Sequence, residues 1–260
     1  MHYAHVLECH FSPSGTTKEV TRAFVAHLSG EKEELDLVRH PLEAERGVPP
    51  DTLLVAAVPV YSGRVPAMCA KQLARLKGQG GPAVALAVYG NRDYEDALLE
   101  LTDILSEGGF TVIGGGAFIA RHSIFPKVAK GRPDERDREA IAAFAAECRA
   151  KLESGAVNEP LRVKGNKPYR EVVRSAKGSP LQPSADKSCT HCGACARVCP
   201  TGAIDPENPP VKKPEACIAC AACIAVCPEH SQAFRGFKYH LFSRLFGRKC
   251  KERREPEYFV

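Results

Sequence analysis

The residues most able to do chemistry are cysteines in the last third of the sequence. Cys189, Cys192, Cys195 and Cys199 stand in the spacing C-x2-C-x2-C-x3-C, with Pro200 after the last; Cys217, Cys220, Cys223, Cys227 and Pro228 repeat it. Thiolates are soft ligands, and x2 loops let three of them converge on one face of a metal–sulfur cubane. A proline after the fourth cysteine turns the chain without adding an N–H donor. Gly193, Ala194, Ala219, Ala221 and Ala222 are small enough for backbone amides to approach the sulfurs. Eight thiolates in two copies of this spacing point to two iron–sulfur clusters. A pair of zinc sites is the alternative, although tetrahedral zinc ribbons rarely display so many thiolates at this spacing.

A second constellation lies near the N-terminus, at Ser12-Pro13-Ser14-Gly15-Thr16-Thr17-Lys18. Hydroxyls at Ser12, Ser14, Thr16 and Thr17, with backbone N–H groups at the positive end of a helix, can surround a phosphate without a cation. The alternative is an ordinary Ser/Gly/Thr helix cap. Two further segments bear on the choice: Pro59-Val60-Tyr61-Ser62-Gly63-Arg64 and Tyr89-Gly90-Asn91-Arg92-Asp93-Tyr94. They carry aromatics able to stack on a planar ring and glycine-flanked backbone able to bond its polar rim. His122 could add a positive charge or a hydrogen bond there, or be a loop histidine bonded to backbone or water.

These residues need a frame. Five mostly apolar runs read as strands: Tyr3 to Cys9, Glu33 to Leu37, Leu53 to Val58, Ala83 to Tyr89 and Phe110 to Phe118, the polar second one at an edge. Helical patterns fill the gaps at Thr16 to Leu28, Pro66 to Leu76, Tyr94 to Glu107 and Pro133 to Leu152. Alternation of this kind predicts a doubly wound parallel α/β sheet with strand order 2-1-3-4-5, whose carboxyl-end loops border a ligand crevice. The phosphate loop, the two aromatic segments and His122 all fall at that end. Gly114-Gly115-Gly116 reads as a strand irregularity, because no dinucleotide fingerprint follows it.

At 260 residues, 44% hydrophobic and 26% charged, the chain is long and apolar enough for two folded domains. Nine of twelve cysteines lie from Cys189 to Cys250, which separates the two. We divide the chain into 1–152, a linker 153–187 rich in Pro, Gly, Lys and Ser, a cysteine domain 188–237 and a basic amphipathic tail 238–260. Cys9, Cys69 and Cys148 are expected to be buried thiols and Cys250 an exposed one. In the tail, Phe237, Leu241, Phe242, Leu245 and Phe246 recur at helical intervals among Lys and Arg, which predicts packing back onto a domain rather than docking to a partner or an anionic membrane. No apolar run approaches the roughly 18 residues of a membrane span, and no signal peptide is visible, so the expected location is cytoplasmic. Residues 1–152 carry net −2 and residues 153–260 net +7. Cluster and phosphate charge would offset that excess, so a nucleic-acid partner is not expected.

The cysteine blocks resemble those of bacterial two-cluster ferredoxins, in which the fourth cysteine of each block ligates the other [4Fe-4S] cluster. The resemblance implies one cluster on Cys189, Cys192, Cys195 and Cys227 and another on Cys217, Cys220, Cys223 and Cys199. Pro200-Thr201-Gly202-Ala203-Ile204 follows the ferredoxin pattern and Pro228-Glu229-His230-Ser231-Gln232 departs from it, which puts the two clusters in different surroundings. The Ser12–Thr17 loop resembles the FMN loop of flavodoxins. Taken whole, the sequence resembles flavodoxin–ferredoxin fusion proteins: a flavodoxin-like FMN domain, then a small α+β dicluster ferredoxin domain. This implies that Ser12, Ser14, Gly15, Thr16 and Thr17 hold the FMN phosphate. Pro59, Val60, Tyr61, Ser62 and Gly63, with Tyr89, Gly90, Asn91 and Arg92, would line the ring, and Tyr61 or Tyr94 would stack on it. The implied activity is electron transfer between a protein donor and acceptor with no catalytic acid or base. The alternative is an FMN-dependent iron–sulfur reductase acting on a small-molecule acceptor. A ferredoxin whose first domain only docks is a third reading. Oligomeric state is not legible.

Overall fold

The computed structural model describes residues 3–157, 159–172 and 178–260. The first domain contains β1 (His5–His10), α1 (Thr16–Val25), β2 (Glu31–Asp36), β3 (Thr52–Pro59), α2 (Ala67–Leu73), β4 (Pro82–Tyr89), α3 (Ala97–Glu107), β5 (Thr111–Ile119) and α4 (Glu135–Ser154). The cysteine region holds the short helices α5 (Ala194–Arg197) and α6 (Ala222–Ala225), and the chain ends in α7 (Phe237–Lys249) and β6 (Glu257–Phe259).

The sheet runs β2-β1-β3-β4-β5-β6, parallel throughout except for β6. Central strands β3 and β4 are buried on both faces, which is why they read as unbroken apolar runs. In β2 only Leu35 is buried, as an edge strand with charged residues should be. One core lies on the α2/α3 side around Leu7, Cys9, Leu54 and Leu101. The other joins Val6, Val20, Phe24, Leu86 and Phe144 on the α1/α4 side. Helix α4 starts where Asp134 and Asp137 form a reciprocal capping box and stops at Gly155, which takes the left-handed conformation. The register shift in β5 falls at Ile113, between the pairs Ala83–Val112 and Val84–Gly114, so it precedes the triple glycine, whose three residues pair in regular register. A Cβ at Gly114 would lie 2.7 Å from the Cys148 sulfur, so that position has no room for one.

Two expectations are corrected. The sheet has six strands, not five: β6 pairs antiparallel with β5, Tyr258 opposite Gly116, and covers an edge that would otherwise expose unpaired N–H and C=O groups. Residues 238–260, expected to pack back onto a domain, do so as most of helix α7 and the sheet's last strand. Cys250 is buried, packed with Phe125 and Val128. Within the linker, residues 166–170 lie on the first domain. Asp96 accepts the backbone N–H of Asn166 at 2.9 Å and of Arg170 at 2.7 Å, and the Arg64 guanidinium stands 4.7 Å over the Tyr169 ring.

Candidate cofactor sites

At the end of β1 the chain turns, with the Gly15 N–H donating to the Ser12 carbonyl at 3.2 Å and Gly15 at φ 88°. That left-handed residue reverses the loop into α1. Ser12 Oγ accepts the Lys18 N–H at 2.9 Å, and the Ser14 and Thr16 hydroxyls lie 3.2 Å apart on the open side. Ser12 and Thr17 shape the loop; Thr17 is buried and its carbonyl accepts the Thr21 hydroxyl at 2.8 Å. Lys18 points away from the loop to Glu34, which also receives His10 Nε2 at 2.8 Å. Burial alone would raise the Glu34 pKa, but hydrogen bonds from Lys18 and His10 bring it down to about 2. The nearest lysine is thus committed elsewhere, and hydroxyls and N–H groups are left to meet an anion.

Ser14 and Thr16 open onto a cavity of 790 Å³ at the carboxyl ends of the strands. Pro59 to Ala67, Tyr89, Gly90, Arg92 and His122 line it, as do Cys217, Ile218 and Ala219 from the second cysteine block. Tyr61 is held by a tight reversal: its N–H donates to the Arg64 carbonyl at 3.0 Å, with Ser62 at φ 53° and Gly63 at φ 80°. Burial pushes the Tyr61 hydroxyl well above its usual pKa, and the nearby Cys220 and Cys69 thiols add to this. Gly90 is required by space, because a Cβ there would sit 2.5 Å from the His122 ring.

His122 faces this cavity in a defined state. Its Nδ1 accepts the Ile124 N–H at 3.1 Å and the Phe125 N–H at 3.2 Å, which leaves the ring proton on Nε2. Burial, with the Arg92 charge adding, lowers its pKa to about 4. It is therefore a neutral hydrogen-bond donor at neutral pH and not the positive charge that was one of its two readings.

Two of the expected ring-lining residues lie elsewhere. Tyr94 is only 2% exposed; its hydroxyl donates to Glu257 Oε2 at 2.8 Å and its ring packs on Tyr89. The Asn91 amide donates to the carbonyls of Cys250 at 2.9 Å and Glu252 at 2.8 Å, and its Oδ1 accepts the Arg254 N–H at 3.0 Å. Both are used to hold the returning C-terminal segment. In turn that segment supplies Phe246, which lines the cavity and meets the His122 ring edge-on at 4.9 Å. Ile124 and Phe125 also line it. Sequence reasoning passed over these three, since nothing local marks them.

The two cysteine blocks share one backbone pattern. In the first, His191 and Gly193 flank Cys192 with φ of 55° and 71°; in the second, Ala219 and Ala221 flank Cys220 with φ of 54° and 65°. Left-handed residues on either side of a cysteine turn N–H groups inward, as in anion-binding nests. Three of these four are not glycine, a conformational cost found mainly where a site demands it. Cys189, Cys192, Cys195 and Cys227 line one small cavity with Gly193, Ser231 and Gln232. Burial raises Cys227, yet the Ser231 hydroxyl and the N–H groups of Gln232, Ser231 and Glu229 hold its pKa below the usual thiol value. In the other group burial pushes Cys220 up to about 12, opposed by the Ala222 N–H and reinforced by Cys223, Cys199 and Cys217. Cys223 rises to about 11, first through burial and then through Cys217, Cys195 and Cys199 against the Lys212 charge. Crowded buried thiols of this kind ionise together only with cationic metal among them. The fourth cysteine of each block thus stands with the first three of the other. The donor set fits two clusters of four thiolates each.

The 4Fe-4S dicluster domain family matches residues 184–240. Two [4Fe-4S] clusters are accordingly the cofactors of this segment, and the zinc alternative falls away. No curated protein matches the chain. Among solved structures, a flavodoxin of Streptococcus pneumoniae TIGR4 is 16% identical over 57% of this chain and 99% of its own, with a TM-score of 0.39. A Fusobacterium nucleatum flavodoxin variant bound to flavin mononucleotide is 14% identical over 58% and 98%, at 0.40. An NAD(P)H:quinone oxidoreductase of Methanothermobacter marburgensis is 19% identical over 58% and 98%, at 0.37. On its own strand order and connectivity, the chain joins a flavodoxin-like α/β domain to a dicluster ferredoxin segment.

Proposed function

We propose that this protein transfers electrons between redox partners through its two [4Fe-4S] clusters and an FMN held in the large cavity. When bound, the clusters would supply one-electron chemistry and the flavin one- or two-electron chemistry. One cluster would be held by Cys189, Cys192, Cys195 and Cys227, the other by Cys217, Cys220, Cys223 and Cys199. For the flavin phosphate, the Ser14 and Thr16 hydroxyls and the N–H groups at the start of α1 are the ligands, within a loop shaped by Ser12, Gly15 and Thr17. Pro59, Val60, Tyr61, Ser62, Gly63, Tyr89, Gly90 and Arg92 would border the ring, with Tyr61 the aromatic able to stack on it. His122 Nε2–H would donate to its polar rim. No side chain in this reading acts as a catalytic acid or base.

The observation that carries the reading is the shared cavity. Ser14 and Thr16 line the same cavity as Cys217, Ile218 and Ala219, so the two candidate sites adjoin. Twelve free cysteines, eight of them in cluster spacing, support a reducing, cytoplasmic setting and protein donors and acceptors. A cavity of 790 Å³ also supports a second reading, turnover of a small-molecule acceptor at the flavin face, since small-ligand sites run from about 300 to 1,000 Å³.

The test is anaerobic purification followed by iron, acid-labile sulfide and flavin determination, with spectra before and after reduction. About eight irons, eight sulfides and one FMN per chain are expected. Full iron without flavin, even after incubation with FMN, would remove the flavin from the proposal and leave a ferredoxin with a docking domain. Steady turnover of quinones, nitro compounds or enoates without a protein acceptor would favour the second reading.

A further inference from the structure

Helix α7 is amphipathic in an unusual way. Its inner side is fixed: the Tyr239 hydroxyl donates to the Ile124 carbonyl at 3.1 Å, Phe246 lies 4.8 Å from Phe125, and Cys250 at its end is buried. The outer side therefore cannot roll inward. On it stand Phe237 at 81% exposure, Leu241 and Phe242 at 46% and Leu245 at 51%, four of the seven large apolar side chains exposed among the described residues. At about 100° per residue these four span roughly 140° of the helix circumference, one continuous stripe.

The charges are placed on the same side. Lys238, Arg244, Arg248 and Lys249 are exposed, and by the same helical rotation they fall within or directly beside the apolar stripe. No acidic residue occurs from Phe237 to Lys251. Among the described residues, the C-terminal ion pairs involve Arg253, Arg254 and Glu257, beyond the helix, and none of the four helix cations. An apolar groove on a protein partner would have to bury these cations with the stripe. At a bilayer surface there is no such cost, because apolar side chains sink while Lys and Arg stems lie along them and place their charged heads among lipid phosphates.

We propose that the outer face of α7 is a docking surface for an anionic phospholipid membrane, with Phe237, Leu241, Phe242 and Leu245 as the inserting side chains and Lys238, Arg244, Arg248 and Lys249 as the phosphate contacts. The sequence expectation of a helix packed back on the protein holds for one side of α7 and leaves the other side for the membrane. The assignment needs neither the flavin nor the direction of electron flow.

Flotation of the cluster-loaded full chain with lipid vesicles tests it. The protein should float with vesicles of phosphatidylcholine containing about one-third phosphatidylglycerol, stay behind with phosphatidylcholine alone, and lose binding as salt rises. Phe237→Ser with Leu241→Ser and Leu245→Ser should reduce vesicle binding at least about tenfold with the cluster spectrum and melting curve unchanged. Should the triple variant fold poorly, Phe237→Ser alone, at the most exposed position, gives the same direction of change. Arg244→Gln with Lys249→Gln should weaken binding roughly 30-fold, at about 1 kcal/mol per cation near an anionic surface. The proposal is overturned by absence of flotation at low salt, or by binding that ignores the apolar substitutions. It is equally overturned by light scattering that finds a dimer abolished by Phe237→Ser while vesicles fail to bind, which would assign the stripe to a second copy of the chain.

Discussion

Replacing His122 with Phe should remove a specific part of the pH dependence of stability. The ring's pKa falls from its ordinary 6.5 to about 4 in the folded chain. Between those values the unfolded chain binds a proton that the folded chain refuses. Stability from this group is therefore fully present above pH 6.5 and is lost as pH falls towards 4. From pH 7 to pH 5 the loss works out at about 2 kcal/mol, an upper figure because the ring borders a cavity and water screens part of its charge. His122→Phe keeps an aromatic ring between Phe125 and Phe246 but strips the acceptor from two backbone N–H groups, at 3.1 and 3.2 Å in the native chain. The variant should thus be less stable at pH 7 by about 1 to 3 kcal/mol. Its urea midpoint should fall less than the native one between pH 7 and 5, so the two stabilities converge near pH 5. Deuterium exchange at the histidine Cε1 position, read by mass spectrometry, measures the ring pKa directly in the native chain. A midpoint near 6.5 for His122, or parallel pH profiles for the two proteins, would refute the reasoning.

The crossed ligand sets make a second prediction: in Cys199→Ser, Cys217, Cys220 and Cys223 become open to alkylation while Cys189, Cys192 and Cys195 stay protected, and iron falls by about half. Protection lost in the first block instead would show that the sets are not crossed. Asp137 is fully buried against the Arg132 guanidinium, and Asp137→Asn leaves a buried cation without its partner, so urea denaturation should report a loss of about 3 to 5 kcal/mol. Gly90→Ala forces a methyl to within 2.5 Å of the His122 ring. If the cavity takes FMN, fluorescence titration should find its affinity lowered by roughly 5- to 150-fold, the 1 to 3 kcal/mol typical of overpacking, and unchanged affinity would place His122 away from the flavin.

What could be read from the sequence was short in range. The two cysteine blocks each fit within eleven residues, and the phosphate loop directly follows a strand whose apolar character is plain. Parallel strands buried on both faces announce themselves as apolar runs, so the order of β1 to β5 and the crevice at their ends followed from alternation with helices. That also brought Tyr61, Gly90, Arg92 and His122 to one cavity.

Choices between similar residues were made by contacts across the chain. Tyr61 and Tyr94 were equal candidates in the sequence, but Tyr94 hydrogen-bonds Glu257, 163 positions away, and is turned from the cavity. Asn91 sat in the right loop and was taken by Cys250, 159 positions on. Phe246 entered the site from a segment that looked like a tail, and Cys250 was buried by the same return of the chain. Hydrophobic periodicity reports which face of an element is covered, while the identity of the covering residue depends on where distant segments come to rest. Local pattern therefore determined the cofactor chemistry and the parallel sheet, and tertiary packing decided which of the eligible side chains serve it.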